Sequence, residues 1–136
     1  MKKLILSCLA LFLIFLTTAC VKDRASILFN KYPITEKNIY DYSTVFQRGS
    51  RIYYVILMPK KVESRYLYIQ IVKKDNKYGQ FGYNLIQTRN IRLKDEEVNY
   101  FTDYFVLNED GYYFMRVYSK DNPHKIFASA EFYVAK

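Results

Sequence analysis

His124 is the only histidine in the chain, and Ser119 and Ser129 stand five residues to either side of it. A serine nucleophile needs a histidine base oriented by a third group, and neither serine has the strained elbow motif that presents such a nucleophile. A single imidazole, with no cysteines or spaced carboxylates to help it, does not make a zinc site. Asp95-Glu96-Glu97 is an acidic run, but it lacks the alternating oxygen ligands and central glycine of a calcium loop. It reads as a solvated turn, and His124 beside Pro123 reads as an exposed hairpin tip. Carboxylate pairs that cleave glycosides meet only in space, and no spacing here favours them. The expectation is no catalytic residue, no metal ligand, no cofactor and no enzyme.

The other reactive group is a thiol. Met1-Lys2-Lys3 is a short cationic start, residues 4–16 are almost wholly apolar, and Leu16-Thr17-Thr18-Ala19-Cys20 closes the segment on small residues and a cysteine. About 13 apolar residues are too few to span a ~30 Å hydrocarbon core, which needs roughly 20. A charged start, an apolar centre and small residues before a cut describe an export signal instead. The segment resembles the bacterial lipoprotein signal, whose lipobox runs apolar residue, small residue, Gly or Ala, then Cys. Thr18, Ala19 and Cys20 match that pattern, and Thr17 departs from it where Leu is preferred. The resemblance implies cleavage before Cys20, a diacylglyceryl group on its sulfur and often an acyl chain on the new amine. Two or three chains anchor a protein stably where one is marginal. The implied location is the cell envelope, attached to a membrane without spanning it. Val21 in place of Asp points to the outer membrane where the host has two. A plain secretory signal with an incidental cysteine is the alternative.

Removing 19 residues from the 136 leaves 117, the length of one domain. Cys8 leaves with the signal and Cys20 carries lipid, so no thiol remains for a disulfide. Loss of Lys2 and Lys3 takes the formal charge from +8 to +6. A cationic surface beside a membrane attracts anionic head groups, acidic polysaccharides and acidic proteins. Nucleic acid is also anionic, but the chain has no helix-turn-helix, zinc finger or RNP motif, and export argues against it.

Fifteen Tyr and ten Phe with no Trp and only four Gly favour pleated, half-buried surfaces. Alternation and β-branched or aromatic runs predict strands over 51–58, 65–73, 82–87, 89–93, 100–107, 112–119 and 126–134. Lys74-Asp75-Asn76-Lys77, Asn108-Glu109-Asp110-Gly111 and Asp121-Asn122-Pro123 read as turns. Residues 32–47 fit a loop or a short helix starting at Thr35. About seven to eight short strands at even spacing imply a sandwich or a small barrel.

Glu109-Asp110-Gly111-Tyr112-Tyr113-Phe114-Met115 resembles the start of strand F in immunoglobulin-like domains, with an acid, a Gly two places on and a Tyr two places further. Phe46-Gln47-Arg48-Gly49-Ser50-Arg51-Ile52-Tyr53-Tyr54 resembles the approach to their strand B, and Phe132-Tyr133-Val134 their last strand. The resemblance covers 46–134 and implies an all-β fold, an immunoglobulin-like antiparallel sandwich. Tyr113 would be its tyrosine corner, and Met115 would replace the inward cysteine. The cysteine pair and strand C tryptophan of antibody domains are missing, and the fold implies no particular function. The organisation expected is a signal peptide over 1–19, the lipidated cysteine and a short tether over 20–26, and one sandwich over 27–136.

Alternation turns Leu67, Ile69, Ile71, Tyr113, Met115, Val117, Ala130, Phe132 and Val134 toward the core. Tyr66, Tyr68, Phe114, Arg116, Tyr118 and Tyr133 then point outward from three neighbouring strands. Tyr and Arg combine large contact area with hydrogen bonding, so this face is the candidate for a protein partner. Aromatic cross-strand pairs also stabilise a sheet by roughly 0.2–1 kcal/mol each with no partner at all, and residues 32–47 folded over the face would bury it. Lys60-Lys61, Lys73-Lys74-Lys77 and Arg89-Arg92-Lys94 fall near turns, where charge protects edges or meets an anionic lipid or polysaccharide. The functional expectation is a lipid-anchored envelope lipoprotein acting as a non-catalytic binding or assembly module for a protein partner, with no nucleic acid. The alternative is a closed β-barrel carrying an apolar ligand, as lipocalin-like lipoproteins do. A third idea is an inhibitor of a cell-wall-degrading enzyme, and the positive charge argues against a basic lysozyme as its target.

Overall fold

Ile52, Tyr54 and Ile56 are fully buried, as are Leu67, Ile69 and Ile71 and, further on, Met115 and Val117. Bulky side chains at every second position favour an extended backbone that rests one face on a core. In the computed structural model, which describes residues 25–58, 64–75, 82–97 and 99–136, eight strands result. They are β1 (Ser26–Asn30), β2 (Val45–Gln47), β3 (Arg51–Leu57), β4 (Tyr66–Asp75), β5 (Gly82–Arg92), β6 (Tyr100–Val106), β7 (Gly111–Ser119) and β8 (Asn122–Ala135). The expected signal segment 1–19, residues 20–24 of the expected lipidated cysteine and tether, and Lys60, Lys61 and Lys77 lie outside the described residues.

One sheet has the order β1-β3-β6 and the other β2-β8-β7-β4-β5. Every pairing is antiparallel except β2 with β8, which is parallel. The two sheets enclose a core in which Phe29 meets Phe132 at 4.8 Å, Phe46 at 6.3 Å and Phe105 at 6.5 Å between ring centres. Tyr113 stacks on Phe132 at 5.5 Å with an interplanar angle of 11°. The chain folds as an immunoglobulin-like β-sandwich. Each buried Phe contributes about 1.5–3 kcal/mol through its area, and each ring pair about 0.5–1.5 more.

The structure corrects several expectations. Residues 82–87 and 89–93 are one strand, β5, not two. A register shift between Ile71 and Val72 of β4 leaves Ile86 as an extra residue, which breaks the period of two that separated them. Residues 32–47 contain no helix. Asn38 instead ties a turn, donating to the Pro33 carbonyl and accepting from the Thr35 amide, while Asn30 donates to the Asn38 carbonyl. The segment then ends in β2, whose entry into the sheet beside β8 widens the outward face and does not cover it. β1 begins at Ser26 with Ala25 already buried, just before the boundary expected at residue 27. β8 starts at Asn122, so the final turn is Lys120-Asp121, and a register shift leaves Pro123, His124 and Lys125 exposed.

The registers also define two poles. The start of β1 pairs with the end of β3, which leads toward the start of β4, so Ser26, Leu57, Tyr66, Arg92 and Ser119 share one pole. The ends of β1, β4 and β8 and the start of β7 lie at the other.

Candidate functional site

The outward face of the five-stranded sheet is a grid set by the pairings. At the pole away from Ser26, Val45, Tyr133, Tyr112, Lys74 and Tyr83 lie side by side across all five strands. The next row is Glu131, Phe114, Val72 and Leu85, and then come Ser129, Arg116, Gln70 and Thr88. Toward the Ser26 pole the face ends in Tyr118, Tyr68 and Asn90, and in Tyr66 beside Arg92.

All six residues expected on this face point to it, but they do not form one patch. Tyr68 and Tyr118 pair at 6.2 Å, and the Lys120 ammonium sits 4.8 Å over the Tyr66 ring. At the far end Tyr133 packs on Tyr112 at 4.7 Å. Between them Phe114 is only 8 % exposed. The Tyr83 edge covers it at 5.4 Å and the Arg116 guanidinium at 4.5 Å, so it supports its neighbours and offers little surface of its own.

The strongly exposed apolar groups are ones the sequence reading left out. Tyr112 is 66 % exposed, Tyr83 55 %, Leu85 54 % and Val45 49 %. Tyr112 shares the parity of Phe114, so extending the outward set by one strand position would have found it. Val45 was hidden by the uncertain 32–47 segment, and Leu85 by the bulge at Ile86. Thr44, Val45, Lys74, Tyr112, Glu131 and Tyr133 line an open groove of about 350 Å³.

Several of the residues considered for catalysis or metal binding make structural contacts. The Ser119 hydroxyl donates to Asp121 at 3.1 Å, and Asp121 accepts from the Ser64 amide at 2.8 Å, which fixes the last hairpin against the start of β4. His124 and Ser129 are exposed on β8. Asp95 meets Arg65 at 3.3 Å, and Glu97 accepts from the Lys94 amide at 2.8 Å, so the acidic run builds a turn. Among the described residues, no group of three or more His, Cys, Asp or Glu gathers as metal ligands, and no helix is long and apolar enough to cross a membrane.

Charge on the sandwich is organised by contacts between strands and loops. Lys73 donates to Glu109 at 2.8 Å, and that bond holds its ammonium above the usual lysine range. Arg89 reaches from β5 to Asp103 at 2.6 Å and to the Tyr104 carbonyl at 3.2 Å, joining the two sheets. Burial raises the Tyr113 and Tyr54 phenols, the latter strongly. These shifts all move away from neutral pH, opposite to the tuning that general acid–base chemistry uses.

No protein family matches this chain, and no curated protein does. Among solved structures it is similar to an immunoglobulin-like protein from Pseudomonas aeruginosa, at 14 % identity and a TM-score of 0.49, covering 85 % of this chain and 100 % of that one. It is also similar to a superoxide reductase (neelaredoxin) from Ignicoccus hospitalis, at 11 % identity and a TM-score of 0.47, covering 84 % and 82 %. A CARDB domain from Pyrococcus furiosus, solved in complex with di-metal ions, aligns at 12 % identity and a TM-score of 0.42, covering 82 % and 86 %. None of these likenesses lends the chain an activity or a site residue.

Proposed function

We propose that this chain is an envelope lipoprotein, anchored through lipid on Cys20, whose sandwich binds a protein partner and performs no chemistry of its own. The carrying observation is the outward row of the five-stranded sheet, where Val45, Tyr112, Tyr83 and the adjacent Leu85 are each about half exposed or more. Contiguous exposed apolar groups rimmed by charge are the usual mark of an interaction surface, whereas scattered ones need no explanation. Lys74 stands within the row between Tyr112 and Tyr83, and Glu131 and Arg116 border it, which sets an electrostatic register.

A protein fits this surface better than an apolar ligand in a barrel. Among the described residues the two sheets do not close on each other, with β1, β6, β2 and β5 as their edges, and aromatic side chains fill the space between them. The test is crosslinking of the full-length lipidated protein in its own cells, followed by mass spectrometry. Replacing Tyr83, Leu85 and Tyr112 together with Ser is expected to abolish capture of one envelope protein while the fold persists. Unchanged capture would overturn the assignment of this face, and a stoichiometric lipid in gently purified protein would favour the carrier.

A further inference from the structure

β5 is the long edge of the five-stranded sheet, and two hydrogen bonds fix where its amides point. Leu93 donates to the Arg65 carbonyl at 2.8 Å, and Lys120 donates to the Tyr66 carbonyl at 3.1 Å. Arg92 stands opposite Tyr66, and Ser119 opposite Leu67. In an antiparallel ladder, successive residues of a strand turn their N–H and C=O to opposite sides. Leu67, Ile69 and Ile71 of β4 therefore bond to β5, while Tyr66, Tyr68 and Gln70 bond to β7. On β5, Gln87, Arg89 and Ile91 face β4, and Thr88, Asn90 and Arg92 turn their backbone groups away from the sheet. Among the described residues, no strand pairs with that edge.

Natural edges are blunted by shortness, charge, proline, inward-pointing charged residues or bulges. β2 has 3 residues, whereas β5 has 11 and contains neither lysine nor proline. β5 does carry Arg92, an inward-drawn Arg89 and a bulge at Ile86, but the bulge lies before Gln87 and the Arg89 side chain turns onto Asp103, so neither device pairs the outward backbone groups of Thr88, Asn90 and Arg92. A row of unpaired donors and acceptors alternating along an extended backbone is complementary to another strand.

We propose that β5 receives an extended segment of the partner protein as an added strand, hydrogen-bonded at Thr88, Asn90 and Arg92. This rests on the reading of the domain as a protein-binding module. The chemistry of the segment follows from its two sides. Side chains on the outward face lie beside Asn90 and Arg92 and favour acidic or polar residues. The alternate side chains turn toward the sandwich rim, where Ile91 and Phe101 are half-buried, and favour apolar ones.

The test places a photo-reactive phenylalanine analogue at Thr88 or at Tyr112 in the full-length lipidated protein, in its own cells. Each is combined with Asn90→Ala, which keeps the outward N–H, or Asn90→Pro, which removes it without breaking a bond to β4. The expected result is a crosslink from position 88 to an alternating polar and apolar segment of one envelope protein. Asn90→Ala should retain it, and Asn90→Pro should lose it by at least about tenfold, with thermal midpoints that agree. Arg92→Ala against Arg92→Pro repeats the comparison should Asn90→Pro lower the midpoint. Equal capture by the Ala and Pro variants, or a crosslink to a second copy of this chain, would overturn the proposal. Capture from position 112 without capture from 88 would remove strand addition and leave the binding module standing. Capture from neither would remove both.

Discussion

The Tyr113 hydroxyl donates to the Glu109 carbonyl at 2.8 Å, four residues back, as the chain turns into β7. This is the tyrosine corner of immunoglobulin-like sandwiches. Gly111 between them has φ of 142°, a region that L side chains rarely adopt. The ring stacks on Phe132, so one residue closes the corner and fills the core.

Tyr113→Phe keeps the ring and deletes the bond. It is expected to lower stability by about 0.5–1.5 kcal/mol, read as a lower urea midpoint with an unchanged slope. An unchanged midpoint would mean that the corner is held by the turn and the stacking alone.

Tyr54 behaves in the opposite way. It is 1 % exposed, and its hydroxyl finds no hydrogen-bond partner among the described residues. Burial first, then the Asp103 charge, push its phenol far above the ordinary 10.0, with Arg89 opposing. The folded chain holds this proton where the unfolded chain releases it. The resulting stability is full below pH 10.0 and falls as the pH climbs above it. Tyr54→Phe is expected to match or exceed the parent by up to about 1 kcal/mol at neutral pH and to lose less stability between pH 9 and about 11. Urea unfolding across that range decides it, and a loss of more than about 1 kcal/mol at neutral pH would show that the hydroxyl is bonded.

What the sequence revealed follows from how local each signal is. Alternation in 65–73 and 112–119 is a property of neighbouring residues, so those strands and their inward sets are legible, and so is the Gly111-Tyr112-Tyr113 corner. The bulge at Ile86 is set by pairing with β4, and a reading by parity splits one strand in two. β2 is three residues long and owes its extended form to β8, which lies some 90 residues away. The candidate face was legible in direction and not in exposure. Whether an outward ring meets solvent depends on neighbours across strands, which is why Phe114 was included and Tyr112 was not.

The proposed lipid on Cys20 is tested separately from the sandwich. Cys20→Ser is expected to leave the signal uncut or the product soluble, with the protein lost from the membrane fraction and unlabelled by a tagged fatty acid. Anchoring by two or three chains is stable, so the parent should stay with membranes through a high-salt wash that releases proteins held by charge alone. Release of the parent by salt would refute the lipid anchor.

The two halves of the outward face can be set against each other. Tyr68, Arg116 and Tyr118 are half-buried among themselves, whereas Tyr112 and Tyr83 stand well into solvent at the far pole. Interface energy concentrates in aromatic groups that are solvated alone and desolvated by the partner. Tyr83→Ser with Tyr112→Ser is therefore expected to weaken partner capture at least about tenfold. Its cost in stability is about 1 kcal/mol or less for each residue, because cross-strand ring pairs contribute no more. Replacing Tyr68, Arg116 and Tyr118 with Ala should show the reverse balance, with a larger drop in thermal midpoint and a smaller loss of capture. Should the second set abolish capture while the fold stays intact, the contact centres on the half of the face beside Asn90 and Arg92 and not on the row of Tyr112 and Tyr83.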